Sequence, residues 1–197
     1  MIINRDLIDT IMEIGITEIE KMNNDKIKYR IDLEYSDTNA IILKNKKQFM
    51  KKKKFFKIFK KIDTKMHFKL LYSNMKLEDI KLLEKILYIP NGINLQEIEY
   101  KYSIPKEVSS FILAMLHELG HIKDMVNDVY DSSFLKRTCM NDLEYVAYRY
   151  TMSLLKTREE QVKRYKELER ERIADEFGMK LFKENIEKFS ILVKQFA

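Results

Sequence analysis

The sequence predicts an α+β fold in one domain, residues 1–197, with a small sheet in the N-terminal half and a mostly helical C-terminal half. Three observations predict it. Apolar residues alternate in "KIKYRIDLEYS" (Ile27, Tyr29, Ile31, Leu33), the period of a half-buried strand. From Asn141 onward they recur at helical spacing instead. The 197 residues, 45% hydrophobic and 35% charged, suffice for one sizeable core. Residues 1–92 read as a mixed region and 93–197 as a helical one. The "PNG" between them, Pro90–Gly92, reads as a turn inside the domain rather than a linker.

The elements follow in order. "RDLIDTIMEIG" has helical spacing and is expected to stop at Gly15. The alternating strand comes next, and "TNAIILK" is its expected partner. The lysine-rich block 44–69 carries Phe55, Ile58, Phe59 and Ile62 at helical spacing, as a basic amphipathic helix would. "KLEDIKLLEKILYI" predicts a helix ending before Pro90. "INLQEIEYKYS" alternates enough to predict a strand, and Pro105 can open the helix after it. "NDLEYVAYRYTMSLL" starts with polar capping residues, "ELERERIADEFGMKLF" repeats Ile173, Phe177 and Leu181, and "NIEKFSILVKQF" forms a last short helix.

Composition sets bounds on function. The longest apolar run, "FILAML", is too short to cross a bilayer. The N-terminus carries Arg5, Asp6 and Asp9 within its apolar pattern, unlike a signal peptide. A single cysteine, Cys139, excludes an internal disulfide framework, so a reducing, cytoplasmic setting is expected. Abundant lysine, isoleucine and asparagine with scarce alanine fit an AT-rich bacterial or phage coding sequence. The net charge of +6 is uneven: residues 44–69 hold twelve lysines and one aspartate, which leaves the remainder at −5.

The chemistry is carried by "AMLHELGHIKDM", Ala114–Met125. Positions four apart share one helix face, so His117 and His121 can aim two imidazole nitrogens at one metal ion. Zinc suits nitrogen ligands, and a catalytic zinc keeps one position for water. Glu118 can take that water's proton, which generates the nucleophile for a polarised carbonyl. Gly120 lacks a side chain, so another segment can approach closely. The ordinary alternative is a helix that happens to carry two histidines.

A catalytic zinc needs a third protein ligand. The remaining histidine, His67 in "TKMHFKL", sits far upstream in the basic segment, and an acidic residue downstream is the better choice. Two compete. Glu171 has Asp175 one turn later, which could accept a hydrogen bond from a ligand histidine and fix its ring. Glu144 in "DLEYVAYRY" is nearer in sequence but has no such companion. Glu171 is favoured, and Glu144 stays open.

"HELGH" followed by "ERERIADEFGMKLF" resembles the ImmA/IrrE-type zinc metallopeptidases, within the gluzincin class, over roughly residues 95–185. The family pairs an H-E-x-G-H helix with a later E-x-x-A-(D/N)-x-(F/Y) helix. The resemblance implies a zincin-like fold, zinc ligands His117, His121 and Glu171, and Glu118 as catalytic base; Asp175 falls on the Asp/Asn position. It also implies a protein substrate. Members often occur in prophages and mobile elements, and some are linked to cleavage of helix-turn-helix repressors. This chain shows no helix-turn-helix, so such a repressor would be a separate protein. The departure is the long gap from His121 to Glu171, partly filled by "TREEQVKRYKELER".

Other features have plainer readings beside functional ones. The lysine block 44–69 could bind nucleic acid or an anionic surface, or simply be the solvated face of a helix. Tyr145, Tyr148, Tyr150 and Tyr165 are candidates to stabilise an oxyanion, though most should be packing residues. Cys139 reads as a small buried side chain. The expectation is therefore a zinc-dependent endopeptidase. The alternative is a non-catalytic scaffold of phage origin that contacts a partner protein or nucleic acid through its basic segment.

Overall fold

The computed structural model describes residues 5–23, 28–35, 42–45, 49–50, 64–72, 90, 92–128, 143, 146–151 and 157–195. In chain order these form α1 (Arg5–Asn23), β1 (Lys28–Tyr35), β2 (Ile42–Asn45), β3 (Phe49–Met50), β4 (Thr64–Tyr72), α2 (Leu95–Tyr102), α3 (Lys106–Asp128), α4 (Arg158–Lys166), α5 (Glu169–Glu184) and α6 (Ile186–Gln195). Residues 146–151 are also helical.

The described molecule is predominantly helical, and its core is built mainly from helices. α3 is the centre. Val108, Phe111, Ile112, Leu113, Met115, Leu116, Leu119, Ile122 and Val126 are all buried, which leaves the helix apolar on most of its circumference. A helix of that kind must be covered by other elements. α1 covers it with Leu7, Ile8, Ile11, Met12 and Ile19. α5 adds Phe177, Leu181 and Phe182, and α6 adds Phe189 and Val193. Phe182 and Phe189 stack with ring centroids 5.9 Å apart.

The strands pair through β4. β1 runs parallel to it, with Leu33 opposite Leu70, while β2 and β3 run antiparallel to it. Their share of the core is small: among the described side chains, Leu70 is the one fully buried strand residue. "TNAIILK" therefore does not pair with β1 as expected, because β4 lies between β2 and β1. The ends of the lysine block lie in β2, β3 and β4 rather than in one helix, and residues 51–63, with Phe55, Ile58, Phe59 and Ile62, lie outside the described residues. So does the expected helix "KLEDIKLLEKILYI".

Two further expectations are corrected. α1 continues through Gly15 to Asn23. Gly15 marks a close approach instead: a Cβ there would stand 2.4 Å from Leu119 Cδ1. "INLQEIEYKYS" is helical, not a strand. Asn94 caps α2 by accepting from the backbone N–H groups of Gln96 (3.1 Å) and Glu97 (3.3 Å), and Ser103 closes it in the left-handed region at φ 58°. Among the described residues no helix is long and apolar enough to cross a membrane.

Candidate metal centre

The centre lies where α3 crosses α5, and the crossing is close because two glycines permit it. A Cβ on Gly120 would stand 2.8 Å from the Cα and carbonyl oxygen of Ala174. A Cβ on Gly178 would stand 3.1 Å from the backbone nitrogen of His117. Each glycine thus meets backbone of the opposite helix, as the bare Gly120 led one to expect. Backbones this near bring the first turns of α5 within side-chain reach of His117 and His121.

His117, His121 and Glu171 converge, with one ligand atom from each lying within 4.8 Å of the others. Glu171 Oε2 is 3.3 Å from His117 Nε2 and 3.4 Å from His121 Nε2. Donors arranged tetrahedrally about a common ion, with bonds of about 2.0–2.1 Å, stand about 3.3–3.4 Å apart. The two carboxylate–imidazole distances therefore fit ligands of one shared ion. They contrast with the direct contact beside them, where His117 Nδ1 lies 2.7 Å from Asp175 Oδ1, a charge-assisted hydrogen bond. When the ring is neutral, donating Nδ1–H to Asp175 leaves the Nε2 lone pair free for an ion beside Glu171. The two imidazoles meet edge to face, centroids 4.6 Å apart. This buried group could hold a metal ion.

Glu171 is 1% exposed, so its carboxylate needs partners. It has them. Burial alone would raise its pKa, but hydrogen bonds and charge from His117 and His121 hold it well below the usual carboxylate range. It also sits in the first turn of α5, where the helix dipole favours negative charge. Burial likewise pushes His117 down, yet hydrogen bonds to Asp175 and Glu171 and the nearby charge of Glu118 bring it up to about 9. The carboxylates around His117 thus make this a place that attracts positive charge.

The structure joins most of the expected site residues. His117, His121, Glu171 and Asp175 come together, with Asp175 acting on His117. Glu118 follows His117 on α3, half-buried, and its charge reaches the imidazole. Glu144, Tyr145 and Cys139 lie outside the described residues. The backbone of His67 lies in β4 opposite Arg30, and its side chain lies outside them. Tyr150 is exposed. Tyr148 packs against Tyr165, centroids 5.6 Å apart. Burial, together with Glu171, pushes the Tyr165 phenol well above its ordinary value.

Sequence reasoning missed Arg170, whose Nε donates to Glu171 Oε1 at 3.0 Å. Its position beside Glu171 was the available signal, but adjacent helical residues do not ordinarily face each other. Compared with protein-family models, with curated proteins and with solved structures, the chain matches none.

Proposed function

We propose that this chain is a zinc-dependent endopeptidase of zincin-like fold, similar to the ImmA/IrrE-type metallopeptidases, and that it hydrolyses a peptide bond in a protein substrate. The observation that carries the reading is the convergence of His117, His121 and Glu171, with Glu171 Oε2 3.3 and 3.4 Å from the two imidazoles and Glu118 next to His117. Two nitrogen donors and one carboxylate form the donor set of a catalytic zinc with one position left for water. Formal charge supports a divalent ion: Glu118, Glu171 and Asp175 against Arg170 leave two negative charges among the named groups.

A bound zinc would polarise the scissile carbonyl and bring the pKa of water toward roughly 7. The chain supplies the rest. His117, His121 and Glu171 would hold the ion. Asp175 fixes the tautomer and ring orientation of His117 through Nδ1. Glu118 is the general base: its carboxylate takes a proton from the attacking water and can deliver it to the departing amine. Glu118 has no competing role as a ligand in this arrangement. The proposed substrate is a cytoplasmic protein, with a separate helix-turn-helix repressor of a phage or mobile element as the first to try.

The test is Glu118→Gln. Glutamine keeps the shape of glutamate but cannot take the proton. The variant should fold, hold about one zinc per chain as the ligand set implies, and lose hydrolysis by a factor on the order of 10²–10⁴. It should also retain its substrate during co-purification from the native host, and the parent enzyme should cleave that captured protein. A parent that cleaves nothing captured, or a variant that fulfils the biological role unchanged, would replace this reading with that of a non-catalytic scaffold.

A further inference from the structure

Glu171 divides its two oxygens. Oε2 faces both imidazoles, at 3.3 and 3.4 Å. Oε1 accepts from Arg170 Nε at 3.0 Å. The Arg170 contact joins neighbours in sequence, whereas generic helical ion pairs join residues three or four apart. Arg170 has folded its side chain onto the carboxylate, and that side chain remains 39% exposed. Tyr165, from the last turn of α4, completes a triangle. Glu171 and Arg170 both lie near enough to act on its buried phenol, and the ring of Tyr148 packs against it. An arginine N–H can donate to a phenol oxygen, and a phenol O–H can donate to a carboxylate.

We propose that Arg170 and Tyr165 are positioning residues that hold Glu171 to a single metal-facing oxygen. The inference rests on the metallopeptidase reading above. Its consequence is chemical. A carboxylate free to turn can bind an ion through both oxygens, and the second oxygen would add a fifth ligand that crowds the water's position. Arg170 engages that second oxygen and prevents the turn. Tyr165 anchors the same group from α4, so the junction of α4 and α5 fixes the ligand as well as the chain path. Neither residue touches the reacting atoms. Their role is exercised through Glu171.

The test measures the metal itself. Zinc affinity is obtained by competition with a chelator, and coordination number from the visible spectrum of the cobalt(II)-substituted protein. Arg170→Ala should weaken zinc roughly 10–100-fold, as loss of a ligand's supporting partner does. Its cobalt bands should weaken toward those of a five-coordinate ion as Oε1 is released. Arg170→Lys, which restores a cation without the planar fork, should recover part of the affinity. Tyr165→Phe removes one hydroxyl and should shift the spectrum in the same direction, less strongly; it serves as the second probe if Arg170→Ala folds poorly. Parental affinity and spectrum in Arg170→Ala and Tyr165→Phe, alongside metal loss in Glu171→Ala, would overturn the positioning role and leave the metal centre standing. A parent protein that takes up no zinc or cobalt would overturn both.

Discussion

At the scale of single residues, Glu171 decides whether the centre exists. Among the described residues it is the one acidic side chain that faces both imidazoles, and it is almost fully buried. Glu171→Ala should therefore abolish stoichiometric zinc binding while the chain stays folded, because alanine suits a helix. Glu144→Ala should leave the metal in place. Elemental analysis of both variants checks this, and zinc retained by Glu171→Ala but lost by Glu144→Ala would reverse the ligand assignment. This part of the site was legible in the sequence. The His117–His121 spacing and the Glu171–Asp175 spacing each follow from one helical turn, and one turn needs no knowledge of the tertiary fold. Arg170 and Tyr165 were not legible in their roles. Their contacts depend on side-chain rotamers and on the α4–α5 junction, which no periodicity encodes.

At the scale of elements, the α3–α5 crossing sets the geometry. Gly120 faces backbone atoms of Ala174, and backbone cannot yield by a rotamer change. Gly120→Ala should thus push the helices apart, at about 1–3 kcal/mol of stability as overpacking costs, and should weaken zinc binding as Glu171 withdraws from the imidazoles. A variant with unchanged melting temperature and zinc affinity would show that the close approach is not required. A second prediction concerns the buried face of α3. Among the described residues, the hydroxyls of Ser109 and Ser110 are buried with no hydrogen-bond partner. Ser109→Ala and Ser110→Ala each remove a desolvated polar atom and add a better helix former, so each should be neutral or stabilise, by up to about 1 kcal/mol. Urea titration giving a loss above that figure would reveal a partner for the hydroxyl. The elements misread from sequence share a cause. Gly15 resembled a helix stop but serves packing against Leu119. "INLQEIEYKYS" alternates, yet the Asn94 cap starts a helix, and a capped short helix outweighs weak alternation. The β1–β4 pairing is long-range and parallel, so neighbouring sequence could not name the partner.

At the scale of the whole molecule, the centre links the middle of the core to a helix fifty residues further along the chain, counting from His121 to Glu171. An ion that binds the folded chain alone stabilises it, by about 4 kcal/mol when free metal is a thousandfold above its dissociation constant. Melting temperature should therefore rise with zinc and fall with a chelator. The pH dependence of that difference is sharper. His117 stands at about 9 in the metal-free fold, against an ordinary 6.5. A raised pKa gives the metal-free fold extra stability that is fully present below 6.5 and is lost as pH rises through about 9. Zinc must displace that same proton, so its apparent affinity climbs with pH across the same window. Both effects act in one direction. The gap in melting temperature between zinc-loaded and chelator-treated protein should widen steadily from pH 6.5 to 9, and calorimetric titrations in buffers of different ionisation enthalpy should register proton release on binding. Glu171 adds nothing to this slope, because its pKa is held well below the usual carboxylate range and the group stays charged throughout. A gap that is constant or narrows toward pH 9, with no proton released, would mean that His117 is not the protonated partner that the ion replaces.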